Sequence, residues 1–296
     1  MTSVAVTGAT GFVGSHLAKS LAALGHTIYA CSRSSMVPEA ENIHFVEWKT
    51  TKPAANNVRV DAVIDCASAI PNLGSDDEYL FNTNVNLATK AISLAERTGA
   101  LIIYISSQAA IGRPNVKVIT GQTYCEPDTV YGRSKLVSED QLERAICEGR
   151  VRGGIALRFP AIVGCGSHSN FPSNVVEKLR TGDTIRVVNP ETLYNGVVHI
   201  DDVIAFISKL IFSPITELHR VSLASKDEIS LIKAVSNIAD VYGVEPLIQF
   251  CEAPYRAPLI DLTDSMSLGF EPSPTLAVLE KFTSQTIGLD LDQSGG

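Results

Sequence analysis

Short apolar runs alternate with longer amphipathic stretches through the first half of the chain. The runs begin at Val4 and continue at 27–31, 43–48, 61–66, 101–106 and 154–159, each the length of a strand and dominated by Val, Ile and Ala. Between them, apolar residues recur at helical spacing over 84–98 and 131–147. After the first run, Leu17, Leu21 and Leu24 share one predicted helix face and Gly25 is the predicted stop. Near-continuous apolar strands separated by helices predict an α/β fold, a doubly wound parallel sheet covered on both faces. The second half is less regular. Residues 164–174 read as a polar loop, and 193–199 as a strand before a helix that Asp201 and Asp202 would cap. Turn chemistry around Pro254, Pro258, Pro272 and Pro274 predicts a smaller C-terminal lobe. The expected division is a dinucleotide-binding domain over 1–165, with about 196–220 returning to it, and a substrate-binding lobe over 166–195 and 221–296. A frayed tail is expected over 290–296.

The junction of the first strand and helix carries chemistry. Gly8, Gly11 and Gly14 stand three apart between them. Glycines let the backbone turn tightly and approach a ligand, and a helix N-terminus offers free N–H groups and a positive dipole end. Together they predict a pyrophosphate cradle for a dinucleotide.

Composition narrows the partners. With 296 residues, 45% of them hydrophobic, the chain can bury a large core. A net charge of −8 and the lack of any basic run argue against nucleic acid and anionic membranes. The first strand begins at the third residue, leaving no room for a signal peptide, so a cytoplasmic protein is expected. The most apolar later stretch, 203–212, contains Ser208 and Lys209 and is too short to span a bilayer. No two of the six cysteines lie within ten residues of each other, which predicts free thiols and no metal site.

Tyr131 and Lys135 stand four apart at the start of a predicted helix, hence on one face. A free tyrosine, with a pKa of about 10, is a poor acid–base group at neutral pH. A neighbouring ammonium favours the phenolate and suits the pair to exchanging a proton with a carbonyl or hydroxyl while hydride moves. Ser106 and Ser107 end the fifth strand, 24 residues before Tyr131 for the second of them, where a hydroxyl can meet a substrate oxygen.

These motifs resemble those of the extended short-chain dehydrogenase/reductase family, of the NAD-dependent epimerase/dehydratase type. The resemblance rests on Thr7-Gly-Ala-Thr-Gly-Phe-Val-Gly14, Ile105-Ser-Ser107, Tyr131-x-x-x-Lys135, Leu157-Arg-Phe-Pro160 and Val198-His-Ile-Asp-Asp202, and covers nearly the whole chain. It implies a Rossmann domain and a catalytic triad of Ser107, Tyr131 and Lys135. It implies cofactor contacts from Gly8, Thr10, Gly11, Phe12, Val13, Ser32, Arg33, Ala67, Tyr131, Lys135 and Phe159. The run Ala110-Ile111-Gly112 lacks the tyrosine that the family carries there. Residues 157–175 look like the corresponding stretch of nucleotide-sugar epimerases and 4-ketoreductases, where the asparagine of a Gly-Asn-Phe run meets the diphosphate. Asn170 would match that asparagine and Arg256 a phosphate arginine, although Asn195 replaces another family arginine and Arg180 or Arg186 would have to compensate. His199 is expected to position structure rather than carry protons. A homodimer paired through helices 84–98 and 131–147 is the family expectation.

Three departures point to a branch. The second strand ends Cys31-Ser-Arg33-Ser-Ser35 rather than in an acid. An acid would bind the ribose 2′-hydroxyl of NAD and repel a 2′-phosphate, whereas Arg33 with adjacent hydroxyls would bind that phosphate. NADP is therefore expected, with NAD as the alternative. The family's adenine-contacting aspartate is replaced by Glu47-Trp48-Lys49. Gln108-Ala109 stands where sugar-nucleotide dehydratases carry an acid and a base, which removes that elimination chemistry. An NADP site fits net reduction, because a reductase renews its cofactor at each turnover while an epimerase keeps it. The reading is NADPH-dependent reduction of a keto group on a nucleotide-activated sugar. Its rivals are an epimerase with tightly held NAD, a reductase of non-sugar carbonyls, and a silent NADP-sensing regulatory protein.

Overall fold

The computed structural model describes residues 2–48, 59–71 and 76–294. Lys49 and residues 295–296 of the tail lie outside them. The first half runs β1 (Ser3–Thr7), α1 (Phe12–Ala23), β2 (Thr27–Ser32), β3 (Ile43–Glu47), β4 (Ala62–Asp65), α2 (Asp77–Thr98), β5 (Leu101–Ser107), a 3₁₀ turn over Gln108–Ala110, β6 (Val118–Ile119), α3 (Val130–Cys147) and β7 (Gly154–Phe159). The second half runs β8 (Ala161–Val163), α4 (Phe171–Thr181), β9 (Ile185–Val188), β10 (Leu193–Tyr194), β11 (Val197–His199), α5 (Ile200–Leu210), β12 (Leu218–Ser222), β13 (Ile229–Ser230), α6 (Leu231–Tyr242), β14 (Ile248–Cys251), β15 (Leu259–Ile260), α7 (Thr263–Ser267) and α8 (Thr275–Ser294).

Two compact units result: residues 1–114, 123–158 and 204–221, and residues 115–122, 159–203 and 222–296. The first holds a seven-stranded sheet in the order β12-β7-β5-β4-β1-β2-β3, with β4, β1, β2 and β3 in parallel register and β4 parallel to β5. The chain reverses direction across the sheet beside β1, and ligands of open α/β sheets bind at such a switch point. Its core joins Val63, Ala91, Ile102, Tyr104 and Leu142. The second unit has its own core, with Val176, Leu179, Ile238, Leu279 and Phe282 from α4, α6 and α8. Segments 115–122, 159–165 and about 196–203, assigned to the first domain from sequence, group here with the second unit. Pairing accounts for it: β6 adds to β15 and β8 adds to β11.

Several boundaries move for local reasons. Helix α2 begins at Asp77 rather than at residue 84, because the Asp76 side chain accepts the Glu78 N–H and caps it. Helix α1 ends at Ala23, so Leu24 lies beyond the apolar face and is 62% exposed. The strand expected over 193–199 is broken at Asn195–Gly196 into β10 and β11, which pair with different partners. Asp201 and Asp202 lie inside the first turn of α5 rather than capping it, and His199 Nδ1 accepts the Asp201 N–H. Helix α8 extends to Ser294, through most of the tail expected to fray. Among the described residues no helix is long and apolar enough to cross a membrane.

Candidate functional site

Strand β1 delivers the chain into a turn closed by the Gly11 N–H on the Gly8 carbonyl, and α1 starts at Phe12. A side chain at Gly14 would collide with the Gly8 carbonyl, so the glycine sets how closely helix and turn approach. The N-terminus of α1 is bare: no side chain caps it and its first turn holds no acid. By contrast Asp76, Thr129, Asn170 and Ser230 cap α2, α3, α4 and α6. An uncapped positive helix end with free N–H groups fits a dinucleotide pyrophosphate.

That end opens on a cleft of about 290 Å³, into which Gly8, Thr10, Gly11, Ser32, Arg33 and Ala67 all project. Of its described lining residues none is acidic, and Arg33 is the charged one. Ser32 lies within hydrogen-bond distance of Thr10, hydroxyl to hydroxyl at 3.1 Å, and accepts the Ser34 N–H at 3.3 Å. Trp48 forms part of the wall, its indole nitrogen buried without a hydrogen-bond partner and Lys90 4.2 Å above its ring. Phe12 and Val13 begin α1 and Phe159 is buried at the end of β7, and none of the three is among the described residues that line the cleft.

The three candidate catalytic side chains lie in the same unit. Thr129 caps α3 through the Gly132 N–H at 3.0 Å. Any side chain at Gly132 would strike the Ala109 carbonyl, so α3 lies directly against the turn that follows Ser107. Lys135 is 3% exposed. Its ammonium donates to the Ile105 carbonyl at 2.9 Å and sits 5.6 Å from the Tyr131 ring centre and 4.9 Å from that of Tyr104. Burial alone would weaken this ammonium, but Tyr104, Tyr131 and Asp65 more than offset it, and Lys135 holds its proton above the ordinary lysine range. Tyr131 is half-buried. The Ser107 oxygen accepts the Ala109 N–H at 3.2 Å, which leaves its O–H free to donate.

Side-chain alternation along β5 separates the two serines. Ser106 is buried and donates to Glu139 Oε1 at 2.5 Å. Glu139, one helical turn beyond Lys135, is fully buried, takes a bidentate pair from Arg158 at 3.1 and 2.6 Å, and receives Arg220 Nε at 3.1 Å. The Gln108 amide donates to the Arg158 carbonyl at 3.1 Å, and its own oxygen is buried unpartnered.

Sequence reading missed Glu139, Asn84 and Asp65. Buried Asn84 accepts the Ala69 N–H at 2.7 Å and donates to Ser134 Oγ at 3.0 Å, tying the cleft wall to α3. Asp65, 1% exposed, receives the Thr7 hydroxyl at 2.5 Å. Asn84 and Asp65 each stand as a polar residue within an apolar run, but Glu139 lies on a face shared with Ser134, Lys135 and Ser138 and carries no such signal.

In the second unit Asn170 caps α4. Its oxygen accepts the Ser173 N–H and hydroxyl at 3.0 and 2.9 Å, and its amide donates to the Ile162 and His168 carbonyls at 3.2 and 3.4 Å. Arg256 is half exposed and donates to Thr192 Oγ1 at 3.2 Å and Glu252 at 3.4 Å. Asn195 is buried and bonds both N–H and carbonyl of Ile260. Arg180 pairs with Glu177, and Arg186 donates to Cys251 Sγ at 3.6 Å. His199 uses both ring nitrogens, one accepting from Asp201 N and the other on Gln285 at 3.1 Å, and burial holds it below the usual histidine range. Among the described residues no group of three or more His, Cys, Asp or Glu side chains is placed to hold a metal.

Comparison with known proteins adds the ancestry. The profile of the NAD dependent epimerase/dehydratase family matches residues 4–219. The chain is 29% identical over 175 residues to a dTDP-6-deoxy-L-talose 4-dehydrogenase (NAD(P)(+)) of Kitasatospora kifunensis, 55% of this chain and 53% of that one. It is 26% identical over 222 residues to an ADP-L-glycero-D-manno-heptose-6-epimerase of Cupriavidus pinatubonensis, 68% of this chain and 66% of that one. The chain thus spans about half the length of the first relative and just under two thirds of the second. Among solved structures, a UDP-N-acetylglucosamine 4-epimerase from Methanobrevibacter ruminantium M1, in complex with UDP-N-acetylmuramic acid, superposes with a TM-score of 0.82 at 16% identity, covering 97% of this chain and 99% of that one. MoeE5, in complex with UDP-glucuronic acid and NAD, gives 0.81 at 20% identity with the same coverage. Fold, cradle and matched residues agree, and the chain belongs to the NAD dependent epimerase/dehydratase family.

Proposed function

We propose that this chain uses NADPH to reduce a keto group on a nucleotide-activated sugar. Tyr131 donates the proton, Lys135 is its charged partner and Ser107 polarises the carbonyl. The observation that carries the reading is a buried, charged Lys135 packed near the Tyr131 ring, on a helix pressed against the turn after Ser107. When bound, the nicotinamide supplies a hydride to the carbonyl carbon. Tyr131 passes its hydroxyl proton to the carbonyl oxygen, giving an alcohol and leaving a phenolate beside the ammonium, and water restores the proton. Ser107 donates its free O–H to the same oxygen as negative charge grows there. Gln108 and Ala109 offer neither acid nor base for eliminating water.

The acid-free cleft around Arg33 supports NADPH over NADH, because a guanidinium binds a 2′-phosphate through charge-assisted hydrogen bonds. We assign Asn170 and Arg256 to the substrate diphosphate. Arg256 is half exposed on long bonds and free to turn, whereas Asn170 would have to exchange cap bonds for phosphate bonds. The reading includes a cytoplasmic homodimer paired through α2 and α3.

Relatives named as epimerases favour a second reading, in which hydride leaves the sugar and returns to its other face. Cofactor content separates the two. A reductase purifies largely empty and oxidises NADPH with a nucleotide-linked keto sugar. Protein that purifies with stoichiometric NAD and consumes no NADPH is an epimerase.

A further inference from the structure

Beneath the cleft a row of polar side chains crosses the central sheet. Strand register sets Cys31, Thr7 and Asp65 side by side, with Tyr104 of β5 opposite Asp65. One Asp65 oxygen takes the Thr7 hydroxyl, whose own oxygen accepts the Ala67 N–H at 3.0 Å. The other Asp65 oxygen is buried with no hydrogen-bond partner. An unpartnered buried carboxylate oxygen is expensive, and so is a buried ammonium whose acceptors, a carbonyl and a neutral phenol, carry no full charge. Lys135 is that ammonium: it bonds Ile105 O, stands 4.9 Å from the ring of the tyrosine paired with Asp65, and attracts Asp65 through space.

We propose that Asp65 is a positioning residue for the Tyr131–Lys135 pair, the buried countercharge that keeps the Lys135 ammonium between the Ile105 carbonyl and the two tyrosine rings. The proposal rests on the reductase reading for its effect on catalysis, but not for the pairing itself. The groups facing Asp65 are few. They are Thr7 from β1, Cys31 from β2, Cys66 and the Ala67 N–H just beyond it, Tyr104 from β5 and Lys135 from α3, while Tyr131 acts on Lys135 and Tyr104, and Lys90 of α2 on Cys31. Burial pushes Cys31 and Tyr104 up to about 12 and raises Cys66 as well, so the thiols and the Tyr104 phenol stay neutral. Asp65 and Lys135 are therefore the charges that face each other in this row.

Burial also pushes Asp65 from 3.8 to about 6, against the opposing pull of the Thr7 hydrogen bond, Lys135 and the Ala67 N–H. The folded protein thus holds this proton more tightly than the unfolded chain. Keeping the carboxylate charged subtracts stability above pH 6 and subtracts none well below pH 4. A residue retained only for stability would not show that sign.

The test is Asp65→Asn, which keeps the shape and the Thr7 bond and removes the charge. Its melting temperature should exceed wild type by a few degrees at pH 8, the gap closing toward pH 4. Its kcat should fall about tenfold or more with NADPH affinity unchanged. The wild-type acid limb near pH 6, where Asp65 takes up its proton, should vanish into a uniformly low rate. A double-mutant cycle with Lys135→Met, read by thermal unfolding at pH 8, tests the pair without any substrate. Lys135→Met should destabilise wild type by more degrees than it destabilises Asp65→Asn. Should Lys135→Met fail to fold, Lys135→Gln completes the same cycle. Additive effects in the cycle, or an Asp65→Asn protein with wild-type kcat and pH profile, would overturn the proposal. Absence of any carbonyl reduction by wild type would instead remove the reductase reading and leave the cycle decisive for the pairing.

Discussion

Arg33 is the charged group on a cleft whose other described walls are neutral, and the proposed preference for NADPH turns on it. Replacing Arg33 with Ala should raise the dissociation constant of NADPH about tenfold or more and leave that of NADH within about twofold, since charge-assisted bonds are worth about 1.5–3 kcal/mol. Equal losses for both cofactors in a binding titration would mean that Arg33 never meets the 2′-phosphate. Tyr131→Phe removes one oxygen from a half-buried ring and leaves the Lys135–Ile105 bond in place. Turnover should fall about 10²-fold or more, the scale of general acid catalysis, with NADPH affinity unchanged. Retained turnover would remove the proton-transfer role. At this scale spacing was informative for Tyr131 with Lys135 and for the glycines with one another, which the structure sets near each other, while Arg33 reaches the glycine cleft through the pairing of β2 with β1. Asp65, Asn84 and Glu139 were not legible, because their neighbours come from other strands and helices that spacing does not reveal.

At the scale of elements, helix ends do much of the positioning. Helix α1 is left bare where a phosphate would sit, whereas α3 is capped by Thr129 and seated on the Ala109 carbonyl. On an exposed helix Gly→Ala gains about 1 kcal/mol. At Gly132 the added methyl meets backbone, and overpacking costs about 1–3 kcal/mol, so the collision wins. Gly132→Ala should therefore lower the melting temperature and also cut kcat, by tilting Tyr131 away from Ser107. A stable, fully active variant would show that this contact does not position the pair. Strands β1, β2, β5 and β7 were readable as apolar runs. Strand β12, Leu218–Ser222, carries a weaker pattern and gains its place only by pairing with β7. The start of α2 was missed because its first turn, Asp77–Leu80, is mostly polar, and only the Asp76 cap marks it.

At the scale of the whole molecule, each unit closes a core of its own, and the first contains both the cleft and the Ser107, Tyr131 and Lys135 side chains. The family was legible because the glycine, serine and Tyr-x-x-x-Lys motifs fall in the regular half of the chain. Substrate identity was not, because Asn195 and Arg256 have partners more than sixty residues away, and Asn170 is taken up by local bonds that cap α4. The structure commits Asn195 to Ile260 and leaves Arg256 half exposed, a distinction that residue type alone does not make. The most direct test is to supply NADPH deuterated at its transferring position with a nucleotide-linked keto sugar and to weigh the product. Reduction by Tyr131 and Lys135 predicts an alcohol one mass unit heavier than that formed with unlabelled NADPH, in wild type but not in Tyr131→Phe. A product that carries no deuterium would contradict it.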